Sequence, residues 1–232
     1  MRRPSSQSTV QPTCKGGIHA ARMTAIDLAS YAGLVAMTLL TANLLIGLLM
    51  AVKYNPVRSW PHRRINTFQL HNWTAYAALA VACVHPVILL FSSKVHFRKL
   101  DIVFPLYSPK QPTINTFGAI ALYLLIFVVV TSYLRRRMGR KWWKRLHYTA
   151  YVMAPFFYIH GILTDPELGD TPFHVDLLDG EKLYVEICLL LVLIAATVRL
   201  ARHFRQGPPR VHRPKRPRPE VHRHHASLGG QW

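Results

Sequence analysis

Four histidines set in apolar runs are the residues of this chain whose type and spacing could do chemistry. His71 and His85 stand fourteen positions apart in LHNWTAYAALAVACVHPVILLF, and His147 and His160 thirteen apart in WWKRLHYTAYVMAPFFYIHGILT. Imidazole is the commonest metal ligand and titrates near neutral pH, and an ionisable side chain within a membrane-length apolar run is functional by default. At ~1.5 Å rise per residue, fourteen steps climb about 21 Å and thirteen about 20 Å. Two histidines of one segment are therefore too far apart to share an ion. What the segments do share is depth: each offers one imidazole near its start and one near its end.

The elements that must position these side chains follow from composition. Half of the residues are hydrophobic, yet the formal charge is +19. Those numbers conflict in a soluble globule and agree in a helical membrane protein, where long uncharged runs alternate with basic loops. Cys14, Cys83 and Cys188 have no short-range pairing, and an odd count argues against a disulfide framework or a thiolate metal site. The expected fold is all-α, an integral membrane bundle of about five transmembrane helices over 25–204. A polar tail of residues 1–24 precedes it, and a basic Pro/Arg/His-rich disordered tail, 205–232, follows.

The expected spans are Ile26–Val52, Ile65–Phe91, Ile114–Leu134, Trp142–Thr164 and Leu183–Phe204. Asn55-Pro56 closes the first. A longer connection after the second holds an apolar patch, Ile102–Tyr107, suited to a membrane surface. The stretch 135–145 carries seven Lys or Arg and the C-terminal end from Arg199 nine, whereas TDPELGDTPFHVDLLDGEK is acidic with Lys182 as its one Lys or Arg. The positive-inside rule then puts the C-terminus and the 135–145 loop in the cytoplasm, and the N-terminus and the acidic loop outside. Trp60, Trp73, Trp142 and Trp143 gather at the cytoplasmic edge, where amphipathic rings settle.

On this topology the second and fourth spans run in the same direction, so their histidines match in depth. A low-spin b-type haem with two axial imidazoles needs one histidine from each of two facing helices at equal height. His71 with His147 would hold an inner haem, and His85 with His160 an outer one. One piece of geometry does not close. At ~100° per residue, fourteen steps fall about 40° short of four turns, but thirteen fall about 140° short. An ideal helix would not aim His147 and His160 together. Either Pro155 rewinds the helix between them, or the ligands reach around opposite flanks.

Gly33 and Gly47 also stand fourteen apart. They suit close approach of the backbone to a flat macrocycle or ordinary helix packing by small residues, and packing is the reading preferred. Arg58, Arg63, Arg64, Lys144 and Arg145 are positioned to meet the propionates of an inner haem, with topology and lipid contact the commoner use of such charges. Lys94 and Arg98 are weaker candidates at the outer level. The VHRHH tract at 221–225 is read as solvated tail rather than a metal site, and no nucleic-acid binding is expected from the basic charge. Phe127, Phe156, Phe157 and Tyr158 are assigned packing and no redox role. No nucleophile, carboxylate pair or phosphate loop occurs in the apolar runs.

With these residues in place, the chain resembles the ferric reductase-like transmembrane domain shared by NADPH oxidases, iron reductases and the bacterial haem subunit of periplasmic methionine sulfoxide reductase. The two ligand helices of that family carry histidines with thirteen and twelve intervening residues, as His71/His85 and His147/His160 do. TSYLRRRMGRKWWKRLHYTAY resembles its basic loop and the helix that follows. The resemblance covers roughly residues 26 to 204 and implies an oxidoreductase component, a b-haem wire passing single electrons across a membrane, expected to be the bacterial inner membrane. It also marks departures. Oxidases and iron reductases continue into a flavin and nicotinamide module, whereas about 28 residues follow the last expected span here, and no G-x-G-x-x-G fingerprint occurs. A separate donor is therefore expected: quinol, a flavin reductase or a partner redox subunit, with FMN or quinone bound at the cytoplasmic face as a further option. The larger six-helix relatives have one more N-terminal span. The acceptor would be external, such as ferric iron, oxygen or a periplasmic redox protein. The competing expectation is a non-redox membrane transporter or assembly factor that uses the histidines for protons or metal.

Overall fold

The computed structural model describes residues 23–52, 66–165 and 180–205. Arg58, Arg63, Arg64, Trp60, most of the acidic loop, the VHRHH tract and nearly all of both tails lie outside the described residues. Those described form eight α-helices and short 3-10 turns, with no strand among them.

Helix α1, Ala25–Ala51, starts where Thr24 and Asp27 cap each other reciprocally, the Thr24 hydroxyl accepting from the Asp27 N–H and the Asp27 carboxylate from the Thr24 N–H. Asn66 caps α2, Thr67–Ile88, which tightens into a 3-10 turn at Leu89–Phe91. A short α3, Lys99–Val103, and a 3-10 turn, Pro105–Tyr107, form across the apolar patch Ile102–Tyr107; Tyr123 of the next helix donates to the Val103 carbonyl, while Leu106 and Tyr107 are exposed. Helix α4, Pro112–Tyr133, opens on proline at its first position, where a missing N–H costs nothing. The basic stretch folds as α5, Arg135–Met138, and α6, Arg140–His147; then come α7, Thr149–Leu163, and α8, Gly180–Arg205.

Four of these helical segments, Ala25–Ala51, Thr67–Phe91, Pro112–Tyr133 and Gly180–Arg205, are long and apolar enough to cross a membrane. Each leaves large apolar side chains exposed, such as Val35 on α1, Val84 on α2, Val130 on α4 and Leu190, Leu193 and Ile194 on α8, a surface suited to cover by lipid or protein. The fourth expected span, Trp142–Thr164, is divided. Its break falls at Tyr148, where the Tyr148 N–H bonds the Arg145 carbonyl and the Tyr151 N–H the Tyr148 carbonyl, 3-10 spacings that overwind the chain. Pro155, the expected site of rewinding, lies inside a continuous α7.

Helix α1 packs on α2 and α8, and α4 packs on α7 and α2. The core joins Met37, Leu40, Ala78, Leu125, Met153, Phe157, Tyr158 and Val185. Ala78 is fully buried midway between His71 and His85. Polar contacts stitch the same layer: the hydroxyls of Thr41 and Tyr158 meet at 2.9 Å, and Asn43 Nδ2 donates to the His71 carbonyl at 2.5 Å and to Thr74 Oγ1 at 2.8 Å.

Candidate functional site

Helix packing brings the four histidines together two by two. The rings of His71 on α2 and His147 at the end of α6 have centroids 6.1 Å apart and planes crossed at 73°. Those of His85 on α2 and His160 on α7 are 6.3 Å apart and crossed at 74°. The two pairs are near copies of one another, separated along α2 by the apolar layer around Ala78. Because His71 meets His147 and His85 meets His160, the α2 segment and the α6–α7 segment run parallel.

A second nitrogen is engaged on every ring. Nδ1 of His71, His85 and His160 lies 3.2, 2.8 and 2.9 Å from the carbonyl oxygens of Asn43, Ala29 and Ile114. A carbonyl only accepts, so these rings carry their proton on Nδ1 and keep the Nε2 lone pair for another use. His147 differs: its Nδ1 lies 3.3 Å from Ser132 Oγ, and Trp143, one turn earlier, stacks on the ring at 5.3 Å. Trp143 Nε1 also reaches Ser132 Oγ, at 3.5 Å.

Glycines make room for three of the rings. A Cβ on Gly33 would lie 3.1 Å from His85 Cε1, one on Gly47 3.3 Å from His71 Cε1, and one on Gly118 2.8 Å from His160 Cε1. Gly33 and Gly47 thus lie against the imidazoles themselves. Gly118 and Ser132, which sequence reasoning passed over, stand fourteen apart as Gly33 and Gly47 do, and that shared spacing was the signal that could have found them.

A cavity of about 180 Å³ opens beside His85 and His160, with Ser30, Asp101, Asn115, Glu181 and Lys182 among its polar walls. Lys182 is buried there at 9% exposure, while Glu181 accepts from Ser30 Oγ at 2.9 Å. Lys94 and Arg98 do not line this cavity. At the other end, a cleft of about 460 Å³ runs past Ser132, Asn72 and Tyr76 to Arg135, Arg136 and Arg137. Arg135 sits over the Phe68 ring at 4.4 Å, and Arg145 over Trp142 at 5.3 Å. Among the described residues no three His, Cys, Asp or Glu side chains gather into a metal-binding cluster.

An apolar helical bundle with two crossed imidazole pairs at two levels defines a class, the membrane proteins built around paired histidines on facing helices. The chain belongs within that class to the ferric reductase like transmembrane component family, whose model matches residues 32–158. The matched span holds Gly33, Gly47, His71, His85, Gly118, Ser132 and His147, and ends two residues before His160. No curated protein and no solved structure matches the chain. Membership makes it an integral membrane protein of an oxidoreductase family concerned with transmembrane electron transfer.

Proposed function

We propose that this chain carries electrons across the membrane through two b-type haems, one axially held by His71 and His147 and the other by His85 and His160. The observation that carries the reading is the duplicated ring pair. A metal ion held by an imidazole nitrogen at ~2.0–2.1 Å on each side sets the two ring centroids roughly 6–6.5 Å apart, and the pairs stand at 6.1 and 6.3 Å. The Nδ1 hydrogen bonds leave Nε2 free on the three carbonyl-bonded rings, and the adjoining cavity is apolar apart from a rim that includes a buried cation, Lys182. These features fit haem. Bound there, haem iron supplies reversible one-electron chemistry.

The rest is done by the protein. The Nδ1–H groups of His71, His85 and His160 donate to carbonyls of α1 and α4, which holds these rings in place and makes their Nε2 better donors. The apolar layer of Leu40, Ala78, Leu125 and Phe157 keeps water and protons out of the space between the two levels. Placing the 135–145 loop and the C-terminus in the cytoplasm follows from their charge. Electrons then enter at the His71/His147 level from a separate donor, a flavin reductase or quinol, with the Arg135–Arg137 cleft beside that entry. They leave from the His85/His160 level to an external acceptor such as ferric iron, oxygen or a periplasmic redox protein.

The test is the absorption spectrum and haem stoichiometry of the full chain purified from haem-replete cells. Two haems per chain with the sharp reduced bands of bis-imidazole ligation are expected. A colourless protein would refute the reading and return the histidines to the proton or metal transport alternative.

A further inference from the structure

Three of the four rings are held by one repeated device. In an α-helix the carbonyl of residue i−4 points at the N–H of residue i and keeps one lone pair unused. The carbonyls that meet His85, His71 and His160 are those of Ala29, Asn43 and Ile114. Each lies four residues before a glycine, Gly33, Gly47 and Gly118 in turn, and each glycine is the residue whose missing Cβ admits the same ring. The glycine clears the view to the carbonyl one turn earlier, and the imidazole lies in the notch and donates to it. Helix α1 carries two such notches fourteen residues apart. Helix α4 carries one at Gly118 and, fourteen residues on, Ser132.

The fourth position breaks the rule in a defined way. The carbonyl four residues before Ser132 belongs to Val128 and accepts from Thr131 Oγ1 at 3.1 Å. His147 meets the Ser132 hydroxyl instead, and Trp143 takes the place of backbone against the ring. A neutral hydroxyl that also accepts from the Trp143 N–H would draw less on a proton held at His147 Nδ1 than a helix carbonyl does, and would leave His147 the least electron-rich of the four rings.

We infer that Gly33, Gly47, Gly118 and Ser132 are the positioning residues of the four imidazoles, and that Ser132 makes the His71/His147 site electronically unlike the His85/His160 site. This rests on the haem reading for its electronic part and on the protein alone for its structural part. A weaker pull on Nδ1–H leaves Nε2 a poorer donor to oxidised iron, so this contribution favours the reduced state at the His71/His147 level. The hydrogen bonds then bias an electron to dwell where the proposed donor delivers it, and onward transfer follows when the outer site is emptied by its acceptor.

Two measurements on the full chain in lipid bilayers test this. In haem-free protein, 15N resonances of labelled histidine report the tautomer, with the His147 signal assigned by its loss in His147→Gln. Nδ1–H is expected at His147 in the wild type and is expected to be lost in Ser132→Ala and kept in Ser132→Thr. In haem-loaded protein, Ser132→Ala should raise the midpoint potential and shift the low-spin electron paramagnetic resonance signal of one haem only, the one absent from His147→Ala. Ser132→Thr should restore the wild-type values, and Ser132→Gly, which opens a path to the Val128 carbonyl, should move the potential the other way. An Nε2–H tautomer at His147 in the wild type, or a Ser132→Ala protein in which both haems or neither shift, would overturn the inference. Should no haem bind while the 15N pattern behaves as stated, the positioning role stands and the haem reading falls.

Discussion

Gly118→Ala is the sharpest perturbation this architecture offers. The added Cβ would lie 2.8, 2.9 and 2.9 Å from Cε1, Nδ1 and Nε2 of His160. Ordinary contact between carbon atoms begins at ~3.5 Å, so the ring must retreat by roughly 0.6–0.7 Å or the helices must part. It cannot retreat freely, because its Nδ1 is bonded to Ile114 on the same helix as the glycine. Forced overpacking costs ~1–3 kcal/mol, and alanine returns ~0.5–1 kcal/mol over glycine inside a helix. The difference spans ~0–2.5 kcal/mol, and contacts this short put Gly118→Ala in its upper part, ~1–2.5 kcal/mol taken from the site that holds His160, or roughly 5- to 70-fold weaker haem retention. The assay is the rate and extent of haem loss to an excess of haem-scavenging apoprotein, followed at the Soret band. Gly33→Ala, whose Cβ would sit 3.1 Å from His85 Cε1, should come close to balance, and Gly47→Ala, at 3.3 Å from His71 Cε1, should be near neutral. Gly161→Ala is the control: its Cβ would meet the end of Met37 at 2.5 Å, a flexible side chain that can swing aside. Equal haem retention by Gly118→Ala and wild type, or equal losses across Gly33, Gly47 and Gly161, would refute the reasoning.

Other expectations follow from the same contacts. His71→Ala and His147→Ala should each remove the same haem, and His85→Ala and His160→Ala the other; a common loss in His71→Ala and His160→Ala would break the pairing. Asn43→Leu removes the donor to the His71 carbonyl and Thr74, so thermal unfolding in detergent should show about 0.6–2 kcal/mol less stability. Lys182→Met should weaken binding of the haem that survives in His71→Ala, by titration, if the buried ammonium meets a carboxylate of the bound group; an unchanged affinity would assign Lys182 to packing.

Much of this arrangement was legible because membrane helices leave few alternatives. Apolar length placed four spans within a few residues of their observed bounds, and helical rise alone matched the histidines by depth. What escaped depended on tertiary contact. Ser132 and Gly118 looked like ordinary residues of a charge-free span, since nothing in one sequence says which face of α4 meets a histidine. Lys182 was read as the basic residue of an acidic loop, but α8 begins at Gly180, three residues earlier than expected, and turns Lys182 into the cavity wall. From sequence, Pro155, where a hydrogen bond is lost by chemistry, is one of two ways to reconcile the spacing, the other being ligation from opposite flanks, and α7 runs through it unbroken. The break lies at Tyr148, where no residue type announces it, because His147 is held by Ser132 and Trp143 on one side while α7 continues from the other.

That break recovers part of the spacing deficit, about 20° for each residue wound as 3-10 helix, and its role can be tested by altering the spacing. Thirteen residues on an ideal helix would leave His147 and His160 about 140° out of phase with four full turns, yet both rings reach α2 in nearly identical geometry. A tight turn at Tyr148 sets a fixed phase between α6 and α7 that an ideal helix would not have, with His147 of α6 at Ser132 and His160 of α7 in the Gly118 notch. Inserting one alanine between Tyr148 and Thr149 restores fourteen steps, the spacing that keeps His71 and His85 on one face. Were the spacing what matters, the insertion would improve binding. If the phase fixed by the turn matters, the insertion rotates α6 by ~100° against α7, pulls His147 and Trp143 away from Ser132 and removes the His71/His147 haem, while the His85/His160 haem is kept. Two intact haems in the insertion protein would show that Tyr148 is only a flexible joint, and loss of both would show that the two levels do not fold independently.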